Sequence, residues 1–424
     1  MPKVNTKDIS VKETTWDVIV IGGGPAGMMA AGRAGELGKK VLLLEKNFTL
    51  GKKLLITGGG RCNVTNNKTN NRAMLTKYKG NDQFLFSAFS QYSVSETLEF
   101  FNNRGMATKE EPEGRIFPVS NTAQSVFDVL VKYMKEGKVT IKLNASVTVI
   151  SSDKDTNTIK IKTKDGNTFS SKSCILSTGG TARPETGSTG EGFKWLSKLG
   201  HTISEDSASL VPIALKDEWT KKISGLTLPE IKLTTFQNDC KQESYKGKLL
   251  FTHVGISGPM VLNMSKDVGE LLKYGEVKIL LDLFPKLDES EVKKALQILL
   301  VAESNKKIKN ILGQMVPSSM VTGILEITRI DGETHTHSVR TDQRIRLAKI
   351  LKTVPLNVKG LLGVDKAVVS SGGVELTEID FKTMQSRIVP NLYIIGDVLN
   401  IDRPSGGYSL QLCWTTGYVA GSNC

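Results

Sequence analysis

Three glycines and one acid carry the first chemistry in this chain. Gly22, Gly24 and Gly27 follow a G-x-G-x-x-G pattern. In a dinucleotide-binding turn the first glycine permits the sharp bend, the second lets a diphosphate approach the backbone, and the third lets helix and strand pack closely. Pro25 and Ala26 fill the positions between them and open a helix. The unpaired N–H groups and positive dipole end of that helix favour an anion. Glu45 lies roughly 20 residues on, where an acid accepts hydrogen bonds from a ribose hydroxyl. An acid there disfavours a 2′-phosphate, so the pattern fits FAD or NAD and not NADP.

These residues need a scaffold, and the neighbouring sequence supplies one. Residues 17–21 (DVIVI) form a short continuous apolar run, as expected for a parallel strand covered on both faces. Residues 28–34 are rich in small side chains and read as a helix that Gly38 ends, and 41–44 (VLLL) read as a second buried strand. Together they form a βαβ unit. Residues 51–71 read as loop. Helices are expected over 93–103 and 122–136, and strands over 139–143, 146–150 and 158–163, with a turn at Asp165-Gly166. Another buried strand, 174–177, runs into Thr178-Gly179-Gly180.

The composition then changes. From about 204 to 283 the chain reads mostly as short strands with turn residues, helices are expected at 289–302, 306–315, 318–327 and 341–352, and strand character returns at 364–370. The strand at 392–395 and the helix at 409–420 read as the last elements of the first domain. The expected class is therefore α/β: a two-part Rossmann-like cofactor domain (1–203 and 376–424), an inserted β-rich barrel domain (204–285 and 353–375) and a small helical domain (286–352). At 424 residues the chain has room for two to three domains.

The remaining candidates are less distinctive. Arg61, after three glycines, could face phosphates or a bound anion, or brace its loop. His253 has the intrinsic pKa of an acid–base group and could equally fix a turn. His201 follows a helix and reads as structural. His335 and His337 alternate onto one face, which suits a solvated strand better than a metal site. No metal ligand set is expected. Five scattered cysteines with no C-x-x-C exclude a zinc ribbon and a dithiol relay and suit reduced thiols in the cytoplasm. Apolar residues at 39% and charged residues at 23% give the balance of a soluble enzyme. No apolar run approaches the ~20 residues of a membrane span, and the N-terminus does not read as a secretory signal. The net charge of +13 is spread along the chain without a nucleic-acid motif, so it reads as a solvated lysine-rich surface.

Longer motifs carry a resemblance. DVIVIGGGPAGMMAA with LLLEK, GKKLLITGGGRCNVTN at 51–66, STGGTARPETGSTGEGF at 177–193, LLFTHVGISGP at 249–259, SSGGVELTEID at 370–380 and GDVLNIDRPSGGYSLQLCWTTGYVAG at 396–421 are similar to the YhiN-type bacterial FAD-dependent oxidoreductases. That group includes aminoacetone oxidase and the BaiN-like bile-acid reductases. The resemblance implies non-covalent FAD on a glutathione-reductase-like fold, with Asp397 of the Gly396-Asp397 pair accepting a hydrogen bond from the cofactor. It implies a binding set of Gly22, Gly24, Pro25, Ala26, Gly27, Glu45, Lys46, Gly59, Gly60, Arg61, Cys62, Asn63, Val147, Thr178, Gly179, Gly180, Gly396, Asp397, Gly407, Tyr408 and Ser409. His253 and Arg61 are the catalytic candidates, and Arg183, Glu185 and Arg403 sit beside glycine-rich turns that could line the mouth.

The function expected is hydride exchange between a small organic molecule and flavin N5. One version is an amine oxidase that returns electrons to O2. Another is a reductase of an unsaturated or carbonyl compound fed by NAD(P)H, although no second G-x-G-x-x-G marks a nicotinamide domain. Rivals of other kinds are a flavin-binding redox sensor or RNA-binding module, and an NAD-dependent dehydrogenase without flavin. No nucleic-acid or membrane partner is expected.

Overall fold

Val18 to Ile21 are buried side by side because both faces of their strand are covered. That strand, Thr15–Ile21, pairs in parallel with Val41–Leu44 on one side and Thr168–Leu176 on the other. Thr140–Lys142 extends the sheet beyond Val41–Leu44. Thr168–Leu176 is shared: its first half pairs antiparallel with Thr158–Thr163, which pairs with Val147–Asp153, and its last residues pair in parallel with Leu392–Ile394. Seven strands result. The computed structural model describes residues 15–68, 70–78, 80–153, 155–204, 210–362 and 372–424.

The helix Pro25–Glu36 owes its place to its small residues. The C-terminal helix, Tyr408–Asn423, packs so closely along it that a Cβ on Gly417 would meet the Ala26 carbonyl oxygen at 2.6 Å, and one on Gly421 the Ala30 oxygen at 2.5 Å. On its other flank Gly32 faces the ring of Tyr133, which stands on the amphipathic helix Ala123–Glu136. A capping box between Ser93 and Glu96 starts the helix Val94–Asn103. The span 51–71, expected as loop, contains a one-turn helix at Lys52–Leu55 and a 3-10 turn at Thr57–Gly60. Thr65–Asn66 also joins Arg115–Pro118 and Thr108–Glu111 in a small sheet.

The chain divides into two compact units, Met1–Asp206 with Val369–Cys424 and Ser207–Val368. In the second, six strands close a barrel in the order Ile213–Leu215, Gly255–Ser257, Cys240–Thr252, Thr227–Gln237, Val277–Asp282, Val354–Leu361. The helices Glu289–Ala302, Ile308–Leu312, Ser318–Thr328 and Thr341–Lys352 share one apolar core with the barrel. One expectation needs correction here. The span 204–283 is not strands alone, because Pro259–Leu272 is a helix of 14 residues. Gly258-Pro259 looks like a turn in the sequence, yet proline at the first helical position is a helix start. The helix expected at 306–315 is confined to Ile308–Leu312, followed by Gly313. The strand expected at 364–370 lies outside the described residues.

Candidate functional site

Each glycine of the first motif meets a different physical constraint. Gly22 has φ +104°, and a Cβ there would sit 2.6 Å from the Ser177 carbonyl oxygen. Gly27 lies so close to the Gly22 carbonyl oxygen that no side chain fits between helix and strand. Gly24 is the opposite case: a Cβ would meet nothing within 4 Å, because that face opens into a cleft. The helix behind it has Pro25 at its start, no side-chain cap and no acid in its first turn. Its N–H groups therefore face the cleft as anion donors. The Ser177 hydroxyl fixes the turn by donating to the Ile21 or the Gly22 carbonyl, both 2.9 Å away.

Glu45 is buried at the side of this turn. One carboxylate oxygen accepts from the Gly23 N–H at 2.7 Å, and the other from the backbone and side-chain nitrogens of Asn47, each at 2.8 Å. These donors fix the carboxylate in place and leave lone pairs for hydroxyl groups. Thr178, on the opposite wall, has a buried hydroxyl with no protein partner among the described residues.

Asp397 forms the far wall. Arg403 is buried and binds the Asp397 carboxylate, the Ile401 carbonyl at 2.6 Å and the Ser409 hydroxyl at 3.0 Å. Lys53 holds the second carboxylate oxygen at 3.3 Å. Burial alone would push the Asp397 carboxyl up, but Arg403 and then Lys53 outweigh it and hold the group below the ordinary aspartate range. The wall thus carries two cations and one anion.

The structure brings Gly22, Gly24, Pro25, Ala26, Glu45, Lys46, Val147, Thr178, Gly179, Gly396 and Asp397 together around this one cleft, whose lining comes wholly from the first unit. Gly27 and Gly180 lie behind it. Gly59 and Gly60, at φ +68° and +86°, keep open space where a Cβ would stand. Their neighbours turn inward. The Arg61 guanidinium is held by the Glu111 carboxylate and the Asn121 side chain and stacks on Phe117, so it braces the loop. Cys62 is fully buried, and burial pushes its thiol up to about 12. The Asn63 side-chain oxygen is buried without a partner among the described residues. Gly407 caps the last helix at φ +101°, Tyr408 is buried with its carbonyl accepting from the Tyr78 hydroxyl, and Ser409 serves Arg403. Arg183 pairs with Glu185 at 3.6 Å, away from the lining.

His253 belongs to the second unit, exposed at the hairpin tip between Cys240–Thr252 and Gly255–Ser257. His335 and His337 stack with ring centres 5.6 Å apart, each with Nδ1 on a backbone carbonyl; His335 forms an isolated bridge with Lys307, and His337 lies in the 3-10 turn Thr336–Ser338 in place of the expected strand. Among the described residues no three-residue set could hold a metal ion, and no helix is long and apolar enough to cross a membrane. Sequence reasoning missed Asn47, Lys53, Ser177 and Glu191 in the lining. Lys53 stood in plain sight in the GKKLL stretch, but its partner Asp397 is distant in sequence.

The residues present fit a dinucleotide: an open glycine face, an uncapped helix start and a fixed acid surround one cleft. A family model described as the HI0933-like protein Rossmann domain matches residues 16–423. The chain is 31% identical to a 3-dehydro-bile acid delta(4,6)-reductase of Clostridium scindens, over 95% of this chain and 97% of that one. It is 30% identical to a ribosomal RNA dihydrouridine synthase of Escherichia coli, over 95% and 96%. Among solved structures, a 3-ketosteroid-delta4-(5alpha)-dehydrogenase from Rhodococcus jostii superposes with a TM-score of 0.54 at 14% identity, covering 98% of both chains. That likeness concerns the fold alone.

Proposed function

The chain belongs to the HI0933-like Rossmann-domain family of FAD-dependent oxidoreductases, and we propose that it reduces a carbon–carbon double bond conjugated with a carbonyl group. The observation that carries this reading is the pair of relatives: their names describe saturation of such a bond on two unlike molecules, a bile acid and a uridine. The shared step, and not the substrate, is what a common cofactor cleft would preserve.

Hydride transfer is the chemistry that a bound FAD supplies. The residues divide the remaining work. The helix start behind Gly24 takes the diphosphate, and Glu45 takes the ribose hydroxyls. Asp397, held ionised by Arg403 and Lys53, accepts from the ribityl side, while the surplus positive charge of that cluster offsets the anionic diphosphate. The open faces of Gly59 and Gly60 suit close approach by the remainder of the cofactor. With one dinucleotide motif in the chain, a bound FAD would serve as carrier for both half-reactions, and an external NAD(P)H is the proposed donor.

The name of the Escherichia coli relative raises a polyanionic version of the substrate, a uracil within RNA. The test is an anaerobic one. NADH or NADPH should bleach the bound flavin, and adding an enone or a uridine-containing ribosomal RNA should restore its colour with one equivalent of product. RNA-dependent recovery that fades with rising salt would select the nucleic-acid version. Bleaching by a primary amine, with peroxide formed on admitting air, would replace the reductase by an amine oxidase.

A further inference from the structure

Lys46 follows the ribose acid directly, and a cation in that neighbourhood is what a 2′-phosphate would need. Here its ammonium is already engaged. It donates to the Glu191 carboxylate and to the Thr189 hydroxyl, each at 2.8 Å, across the rim of the cleft. The segment carrying Glu191 is held against the ribose acid by a second tie, from the Asn47 side-chain nitrogen to the Thr186 carbonyl at 3.0 Å. Its approach is close enough that Gly187, at φ +107°, would put a Cβ 2.7 Å from that same nitrogen. Lys46, Asn47, Thr189 and Glu191 all line the cleft. The other cations of the wall are also engaged, Lys52 by the Asn47 side-chain oxygen at 3.3 Å and Lys53 by Asp397.

We propose that Glu191 is a specificity-determining residue: by holding Lys46 and adding a second carboxylate beside Glu45, it restricts the cleft to adenosines whose 2′-hydroxyl is free. This rests on the reading of the cleft as the FAD site. A 2′-phosphate would enter between Glu45 and Glu191, repelled by both, with its nearest cation neutralised. The device has a use in an enzyme fed by NAD(P)H, because a phosphorylated nicotinamide cofactor must be kept out of the one dinucleotide cleft while FAD occupies it. The Lys46–Glu191 pair is partly exposed, at 24% and 45% of the side chains, so the discrimination it adds is modest.

NAD⁺ and NADP⁺ differ only in the 2′-phosphate and serve as probes for flavin-stripped protein, with calorimetry as the readout. The wild type should bind NAD⁺ more tightly than NADP⁺. E191Q should narrow that ratio about threefold, roughly 0.7 kcal/mol, by tightening NADP⁺ more than NAD⁺. K46M alone should widen the ratio, since Glu191 then stands unpaired, and K46M added to E191Q should erase the gain. An unchanged ratio in E191Q that still takes up FAD overturns the proposal, as does a gain that survives K46M. Wild-type protein that binds neither NAD⁺ nor FAD overturns the cleft reading itself, and that result appears before any variant is made.

Discussion

The two units bury different kinds of polar group. The first encloses an arginine, a glutamate, a histidine and a glutamine, namely Arg403, Glu45, His201 and Gln411. Among the described residues of the second, the buried polar side chains are hydroxyls: Thr220, Thr235, Ser265, Thr328 and Thr336. Each of those hydroxyls donates to a backbone carbonyl, as Thr328 does to Ile324 at 2.8 Å. Charges and amides are costly to bury and persist only when several partners satisfy them at once. The first unit meets that demand with networks. Gln411 alone accepts from Thr65 and donates toward the Ser93 carbonyl and the Thr97 and Thr415 hydroxyls. The difference is one of degree, since the Asp282–Lys352 pair of the second unit keeps 15% and 14% of its side chains exposed where Arg403 keeps 1%.

The sharpest break in that contrast comes from the glycines. Gly27→Ala drives a methyl into the Gly22 carbonyl, and the purified protein should carry no flavin by its visible spectrum. Gly24→Ala has room in the protein alone, so its flavin-free form should melt like the flavin-free wild type while FAD affinity falls at least tenfold. Equal damage from both changes would mean that the open face at Gly24 is not where the cofactor lies.

Next come matched deletions in the two units. Arg403→Met leaves the Asp397 carboxylate buried with Lys53 alone, and urea denaturation of the flavin-free protein should show a loss of about 3–5 kcal/mol. Thr328→Val removes a hydroxyl whose carbonyl partner already sits in a helix, and should cost less than about 1 kcal/mol. Similar losses would erase the distinction drawn between the units.

The smallest effect is a pH dependence. Ser386 accepts the N–H groups of Ile388 and Val389, so its own proton points to His201 Nε2, and Nδ1–H of the imidazole donates to Glu378. The ring is thereby held neutral. Burial lowers its pKa, and the opposing pull of Glu378 does not overcome this. Below about pH 6.5 the unfolded chain takes up a proton that folded His201 resists, so stability should decline from pH 7 toward pH 5. His201→Gln should flatten that slope in melting temperature, whereas a variant of exposed His253 should leave it intact.

Much of the cleft's lining was legible in the sequence because its residues are demanded locally. Gly27 and Glu45 answer to neighbours within or beside one βαβ unit, and spacing along the chain reveals them; Gly22 shares that spacing, although its neighbour Ser177 is distant in sequence. Arg61 shows where that reasoning stops. Its glycine neighbours suggested a ligand, but its guanidinium is captured by Glu111 and Asn121, which only the folding of the small sheet brings near. The cation pair around Asp397 was hidden for the same reason, since Lys53 and Asp397 lie at opposite ends of the sequence. In the second unit, alternation revealed the strands, while Pro259 concealed a helix because one residue type serves both turns and helix starts.

The last helix has a consequence in time. Leu392–Ile394 completes the sheet beside Thr168–Leu176, and Tyr408–Asn423 seals the helix behind the glycine turn through Gly417 and Gly421. On a ribosome, the wall that carries Asp397 does not exist until the second unit has been made. The nascent N-terminal βαβ unit must therefore wait, half-built and with one flank of its helix bare, through the entire synthesis of the second unit before a nucleotide can be enclosed.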